Sequence, residues 1–361
     1  MTNKLLFLVG AVLLFISCDE AESILQVPGY NETSFIKKSP FPGCTDHEIS
    51  DLTEDGLDNI LGYEIWNGLY FINAFDNFTV REGGFDGATI IQESFTARKL
   101  LATDERMFIT SFDGLFSVDK DGVLTQHLSD SCGDIVLSPN GEIILSAVAP
   151  FKEFQLLKLE DDFTLSSYTD SHDAASNCVP LRDIHFVDEQ NVFAATCEGY
   201  IIHFNDGKYI ESFGPEEMNF GYEPVTDQFF VRAHEDDLIV VAKNGARLYS
   251  ILKYTAEGDW IILKNLHSDD VLEAKDNYML RPLITDALVH NDKLYVTTTI
   301  SGCLGVQEYD ISRNEALSDE DYNVIQDPEF PTQCLEGIQV DQQGNISFIT
   351  SHSEIVQMTC N

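Results

Sequence analysis

The chain has 361 residues, with 61 Asp and Glu against 21 Lys and Arg and a formal net charge of -40 at pH 7. Acids spread along the whole sequence make a surface that repels phosphate backbones, which excludes nucleic acid as a partner and favours cations or basic proteins. The length exceeds that of a common globular domain, but one repetitive, closed all-β domain absorbs it.

Residues 1–17 read as a secretory signal. Lys4 supplies the positive region, Leu5 to Ile16 is mostly apolar yet too short to span a bilayer comfortably, and Ser17 is the small residue before Cys18. The end of this segment, Phe15-Ile16-Ser17-Cys18, resembles the lipobox of bacterial lipoproteins, in which the cysteine is acylated and becomes the mature N-terminus. The resemblance implies a membrane partner reached through acyl chains such as palmitate on Cys18, each buried CH₂ contributing about 0.8 kcal/mol. Residues 18–30 form an acidic tether opening with Asp19-Glu20-Ala21-Glu22. This run fits a solvated spacer; it also resembles the acidic export signal that takes lipoproteins of the Bacteroidota to the outer face of the outer membrane. Lipid-anchored residence at the outer membrane, facing the periplasm or the cell surface, is the expected localisation.

From residue 31 to 361 the sequence repeats one sentence: an apolar strand, a turn, a second apolar strand, then Asn-Gly, Asp-Gly or Glu-Gly and a third. Ile49 to Asn73, Lys99 to Asp119 and Asp183 to Asn205 show it most clearly. Repetition at this period predicts a β-propeller. Central strands begin near Asn59, Glu105, Glu142, Asn191, Asp237, Asp292 and Asn345, which predicts seven blades of four strands. Runs such as Asn191 to Thr196, Asp237 to Ala242, Lys293 to Thr299 and Asn345 to Thr350 are almost continuously apolar, β-branched or small. Such runs suit a sheet packed on both faces by its neighbours. Turns fall at Pro139-Asn140-Gly141, Asp121-Gly122, Asp206-Gly207, Glu257-Gly258 and Gln343-Gly344, and candidate outer strands follow at Phe78–Arg81, Val123–His127, Phe163–Tyr168, Lys208–Phe213 and Trp260–Lys264.

The last unit supplies only three strands, Gly337–Val340, Asn345–Thr350 and Glu354–Thr359. A strand-like segment near the other terminus, Thr33 to Lys37, is expected to complete it, because an open ring would leave a sticky edge. The wording of the first units, with Asp113-Gly114-Leu115-Phe116 repeating the end of Ile49 to Asn73, resembles the repeats of two-component-regulator sensor propellers. That resemblance implies the propeller fold. Longer connections at Gly214–Thr226, His267–Pro282 and Ser312–Thr332 are where binding is usually placed on such a ring, and Asp269 to Asn277 in the second reads as a short helix.

Seven cysteines follow Cys18: Cys44, Cys132, Cys178, Cys197, Cys303, Cys334 and Cys360. An odd number in an exported chain leaves at least one free or paired elsewhere. Cys44, Cys132, Cys178 and Cys334 precede expected innermost strands, while Cys197 and Cys303 end central ones, so all six are expected on one face of the ring. Disulfides Cys178–Cys197 and Cys303–Cys334 are the expected pairs, each contributing about 2–4 kcal/mol. Cys132 competes for Cys178, and Cys44 with Cys360 is a further pairing that would link the termini. No C-x-x-C spacing indicates a zinc or redox site.

Aligned on the innermost strands, Glu48, Asp134, Asp183 and Asp286 stand just before Ile49, Ile135, Ile184 and Ala287, with Arg182 beside Asp183 and Glu336 near Ile338. These six residues are expected to ring the mouth of the central channel. Three roles fit them: acceptors for backbone N–H groups of a neighbouring blade, a calcium site built from oxygen ligands, and a glycosidase-type carboxylate pair. Asp119-Lys120-Asp121-Gly122 imitates the start of an EF-hand loop but sits where a hairpin turn is needed. G-x-S-x-G, H-E-x-x-H and phosphate-binding glycine loops are absent, and His185 and His203 alternate with apolar residues as packed or edge histidines do. The sequence therefore predicts a binding or scaffolding propeller whose ligand is a protein, glycan or small molecule, with a channel-carboxylate hydrolase or lactonase, with or without calcium, as the alternative.

Overall fold

A computed structural model describes residues 44–52, 57, 59–147, 155–171, 181–196, 199–218, 224–244, 249–266, 283–299, 306–318, 322–325, 335–340, 346–350 and 353–360. These residues form 28 strands in seven four-stranded antiparallel sheets, with no helix among the described residues. The first strands of successive sheets are β2 (Ile60–Trp66), β6 (Ala97–Ala102), β10 (Cys132–Leu137), β14 (Arg182–Phe186), β18 (Pro224–His234), β22 (Leu283–His290) and β26 (Leu335–Val340). Each lies against the next, and β26 returns to β2, so the sheets close into a ring around a central channel. The chain is a seven-bladed β-propeller.

The reason for this architecture lies in the alternation of the strands. In the first blade Leu69 and Phe71 of β3 (Leu69–Ala74) pack towards the second blade, against Met107 and Ile109 of β7 (Arg106–Ser111). Tyr70 and Ile72, which alternate with them, pack the opposite way, in the cluster that holds Ile349 and Ile355 of the last blade. Both faces of each sheet are thereby buried. The core is accordingly divided into seven clusters, each shared by two neighbouring blades. Every fully buried large apolar side chain in them contributes about 1.5–3 kcal/mol.

The ring is closed by a strand from the N-terminal side, but not by the expected one. Thr33–Lys37 lies outside the described residues, and the outermost place in the last blade belongs to β1 (Cys44–Asp51), which pairs with β28 (Glu354–Cys360) beside β27 (Ile346–Thr350) and β26. Local turn chemistry explains the shift. Asn67 and Gly68, with φ of 52° and 75°, form a tight hairpin turn that joins Ile60–Trp66 to Leu69–Ala74. The first blade therefore starts at Ile60, Asn59 precedes its innermost strand and not its second, and Phe78–Arg81 belongs to its third strand, outside which Ala88–Glu93 runs. The segment before it is left over and serves the last blade. In the other six blades the second strand begins at or next to the expected residue.

This register also corrects the grouping of cysteines. First strands start, and second strands end, on one face of the ring, called the rim face below. Cys44 stands opposite Cys360 at the end of the third strand of its blade, on the other face. Cys132 begins β10 on the rim face as a buried free thiol, its Sγ donating to the Asp130 carbonyl at 3.3 Å. Burial, with Asp130 adding to it, pushes this thiol up to about 12. Cys178, Cys197, Cys303 and Cys334 lie outside the described residues.

Candidate functional site at the channel mouth

Near the rim face every first strand slips in register against its second: at Ile60/Gly62, Ala97/Lys99, Cys132/Ile135, Arg182/Ile184, Pro224/Phe229, Ile284/Asp286 and Leu335/Gly337. A bulge at this place leaves residues out of the ladder and re-aims their side chains. The bulges hold Asp134, Asp183 and Glu336 of the expected site, and Asp183 takes a left-handed φ of 44° there. Asp286 follows its bulge directly, and Arg182 precedes one. Glu48 is elsewhere: β1 is an outermost strand, where Glu48 pairs in register with Gln357, so it is not a channel-mouth residue.

The three central acids use their oxygens on the next blade. Asp134 accepts from its successor Ile135 N at 2.9 Å and from Ile184 N, one blade on, at 2.6 Å. Asp286 does the same with Ala287 N at 2.7 Å and Ile338 N at 3.2 Å. Asp183 accepts from Val231 N at 3.3 Å, and its second oxygen faces Arg232 Nη1 at 3.3 Å. The fifth blade has Phe230 where blades three, four and six have an acid, and Arg232 takes over: its guanidinium reaches Asp183, Asp286 at 3.3 Å, and the carbonyls of Ala287 at 2.6 Å and Val231 at 2.7 Å. At the closing junction Gln339 Oε1 accepts from Tyr63 N at 3.3 Å. Asp134, Asp183 and Asp286 thus each bond the backbone of the following blade.

The electrostatics follow from burial and from Arg232. Burial raises Asp134 and Asp286 above the ordinary carboxylate range, Lys99 opposing it at the first and Arg232 at the second. Burial would raise Asp183 too, but Arg232, His185 and Lys99 hold it below that range. His185, partly buried beside them with Nε2 unpartnered, is lowered to about 3 by burial, which Asp183 opposes and Arg232 and Lys99 reinforce. Among the described residues no group of three or more His, Cys, Asp or Glu is placed to hold a metal ion. The EF-hand-like run is a turn: Asp119 Oδ1 accepts from Asp121 N at 3.0 Å and Val123 N at 2.9 Å.

Three clips and one cation were not foreseen. Asn73, Thr110 and Ser146 each stand one residue before the end of a second strand and bond the first strand of the following blade: Asn73 to both N and O of Ala97 at 2.8 Å, Thr110 to Gly133 O at 2.6 Å, Ser146 to Leu181 O at 2.6 Å. A small polar residue recurring at this point was the available signal. Arg98, in the bulge of β6, donates to Cys132 O at 3.2 Å and lies 3.6 Å over the ring centre of Phe112. Burial and the neighbouring Arg182 lower it to about 10. Nothing in the repeat marks Arg98 out, because the bulge position it occupies is filled by Leu61, Asp183, Thr285 and Glu336 in other blades.

No family model matches the sequence, and no curated protein does. The fold is widely shared. YCF48, solved bound to a D1 peptide, is 11% identical, with a TM-score of 0.62 over 90% of this chain and 100% of that one. The extracellular domain of the hybrid two-component system BT3049 of B. thetaiotaomicron is 10% identical, with a TM-score of 0.56 over 87% of this chain and 42% of that one. That of BT4673, from the same organism, is 12% identical, with a TM-score of 0.54 over 84% and 38%. The propeller thus spans about two fifths of those two chains. At these identities the likeness is one of fold.

Proposed function

We propose that the chain is a lipid-anchored, extracytoplasmic binding or scaffolding module of the bacterial cell envelope, with the rim face as its working surface. The observation that carries this reading is that Asp134, Asp183 and Asp286 are spent on the backbone of adjoining blades or on Arg232. A hydrolase of the expected kind needs two carboxylates free to face a substrate, and calcium needs six to eight convergent oxygens. Clipped acids serve neither purpose well. Extracellular sensor domains share this fold, and a propeller of this fold has been solved with a peptide bound. Fractionation of cells expressing Cys18→Ser tests the anchor. Release from the membrane fraction is expected, and unchanged retention overturns the lipid-anchored reading.

A further inference from the structure

The outermost strands of four blades carry the same irregularity. In β5 (Ala88–Glu93), β9 (Leu124–Leu128), β17 (Lys208–Phe213) and β21 (Trp260–Leu266) the pairing with the third strand skips one residue: Ile90, His127, Ile210 and Leu263 respectively. A bulge of this kind takes its residue out of the ladder and re-aims it. In two of the blades the following blade covers that residue, from the connection between its third and fourth strands. Phe163 of the third blade stacks on His127, ring centres 3.8 Å apart. Leu317 of the sixth blade joins the fully buried Leu263 in one core cluster, and its N–H donates to the Leu263 carbonyl at 2.7 Å. The molecule thus shows in itself what such a bulge binds: an apolar side chain, brought in the second case by a segment whose backbone bonds the strand edge.

At Ile90 the corresponding connection is the tight turn Asp119–Val123, and it brings no such side chain. Gly122, with φ of 76°, stands at the contact, where a Cβ would lie 3.0 Å from Ile90 Cδ1. Ile90 is left 42% exposed and Val123, beside that glycine, 54%. Five of the six side chains of β5 are exposed, none from Ala88 to Gln92 is charged, and within its sheet the strand is bonded on one side, to β4 (Asn77–Glu82). An uncharged, exposed edge of this length is a template for a further strand. Ile210 is 50% exposed as well, but Lys208 and Glu211 guard its strand with charge.

We propose that the edge of β5 binds an extended peptide that places one apolar side chain over Ile90 and Val123 and carries Lys or Arg on either side of it. Charge selects this occupant. Exposed Glu82, Asp86, Glu93 and Asp121 flank the apolar step on a chain of net charge -40, and Lys120 in the same turn faces Glu105 at 3.6 Å. The peptide backbone bonds the open side of β5, one N–H reaching the Ile90 carbonyl as Leu317 N reaches that of Leu263. A second copy of this chain would bring its own acids to the same edge and is disfavoured by that repulsion. This outer-wall site is separate from the rim face and does not depend on it.

The test pans a random dodecapeptide phage library on the full-length chain in detergent, then measures the synthesised leading peptide by fluorescence anisotropy. The expected peptides set an apolar residue between Lys or Arg. Ile90→Lys should weaken binding at least about tenfold, and the pair Asp86→Lys, Glu93→Lys about fivefold or more with a shallower salt dependence. N-methylation of the peptide at its apolar residue should also cost at least about tenfold, because it removes the N–H that the edge accepts. The three substituted side chains are exposed, so both variants are expected to keep the parent fold, which circular dichroism checks; the N-methylated peptide probes the same edge with the protein unaltered. Absence of any enriched peptide overturns the proposal, as does binding that Ile90→Lys and N-methylation leave unchanged. Binding lost in Phe112→Ser but kept in Ile90→Lys overturns it while supporting the rim face as a working surface. A dimer of the parent in sedimentation that Ile90→Lys dissolves, with no peptide bound, overturns it by giving the edge to a second copy.

Discussion

Blades one to three and blades four to six solve the same problem, fastening one sheet to the next, with different chemistry. In the first sector the fasteners are mainly neutral, Asn73, Thr110 and Ser146, with Asp134 beside them at the junction with blade four, over an aromatic interface in which Phe95 stacks between Phe78 at 5.2 Å and Phe116 at 4.7 Å. In the second the fasteners are charged. Arg232 sits between Asp183 and Asp286, and Lys253, 2% exposed, holds Asp237 at 2.7 Å and Ile311 O at 3.0 Å. The difference teaches how each sector uses its charge: the ionic sector places charge pairs where they hold the ring together, while in the first sector Arg98 rests on the Cys132 carbonyl and the Phe112 ring.

The comparison breaks most visibly at Lys253. Lys253→Ala is expected to cost about 3–5 kcal/mol in urea unfolding, because it strands Asp237 in a buried site. The pair Lys253→Met, Asp237→Leu should recover most of that loss; a single variant no less stable than the parent would show that the ion pair does not hold this junction. In the neutral sector Phe95→Leu should cost about 1–2 kcal/mol through lost volume and stacking. A cost as large as that at Lys253 would erase the distinction between sectors.

Acid titration sharpens the contrast further. His185 titrates at about 3 in the fold against 6.5 ordinarily, so the unfolded chain binds its proton first. Its contribution to stability is complete above 6.5 and is lost as pH falls towards 3. Asp134 and Asp286 have raised values and act in the opposite sense, gaining stability as pH falls through them. Thermal melts of His185→Phe between pH 7 and 4 should fall less steeply than those of the parent, and parallel curves would remove His185 from the acid response. The smallest effect is expected at the rim: Phe112→Ser, at a side chain 64% exposed, should change stability by no more than about 0.5 kcal/mol. A larger loss would make Phe112 a packing residue and not a contact surface.

What the sequence determined by itself was the periodic part. Two-residue alternation with glycine turns leaves apolar side chains on both faces of every sheet, and such sheets are satisfied only by stacking in a ring, which is why six second strands could be located directly. The acids ahead of Ile135, Ile184 and Ala287 were visible for the same reason, as repeats of one position. Tertiary structure decided the rest. Whether Cys44–Asp51 opens the first blade or closes the last depends on a pairing with Glu354–Cys360, across almost the whole chain, and no local pattern encodes that. The setting of Arg98 was equally hidden, because the carbonyl that holds it, that of Cys132, belongs to the next blade and stands 34 residues further along the chain.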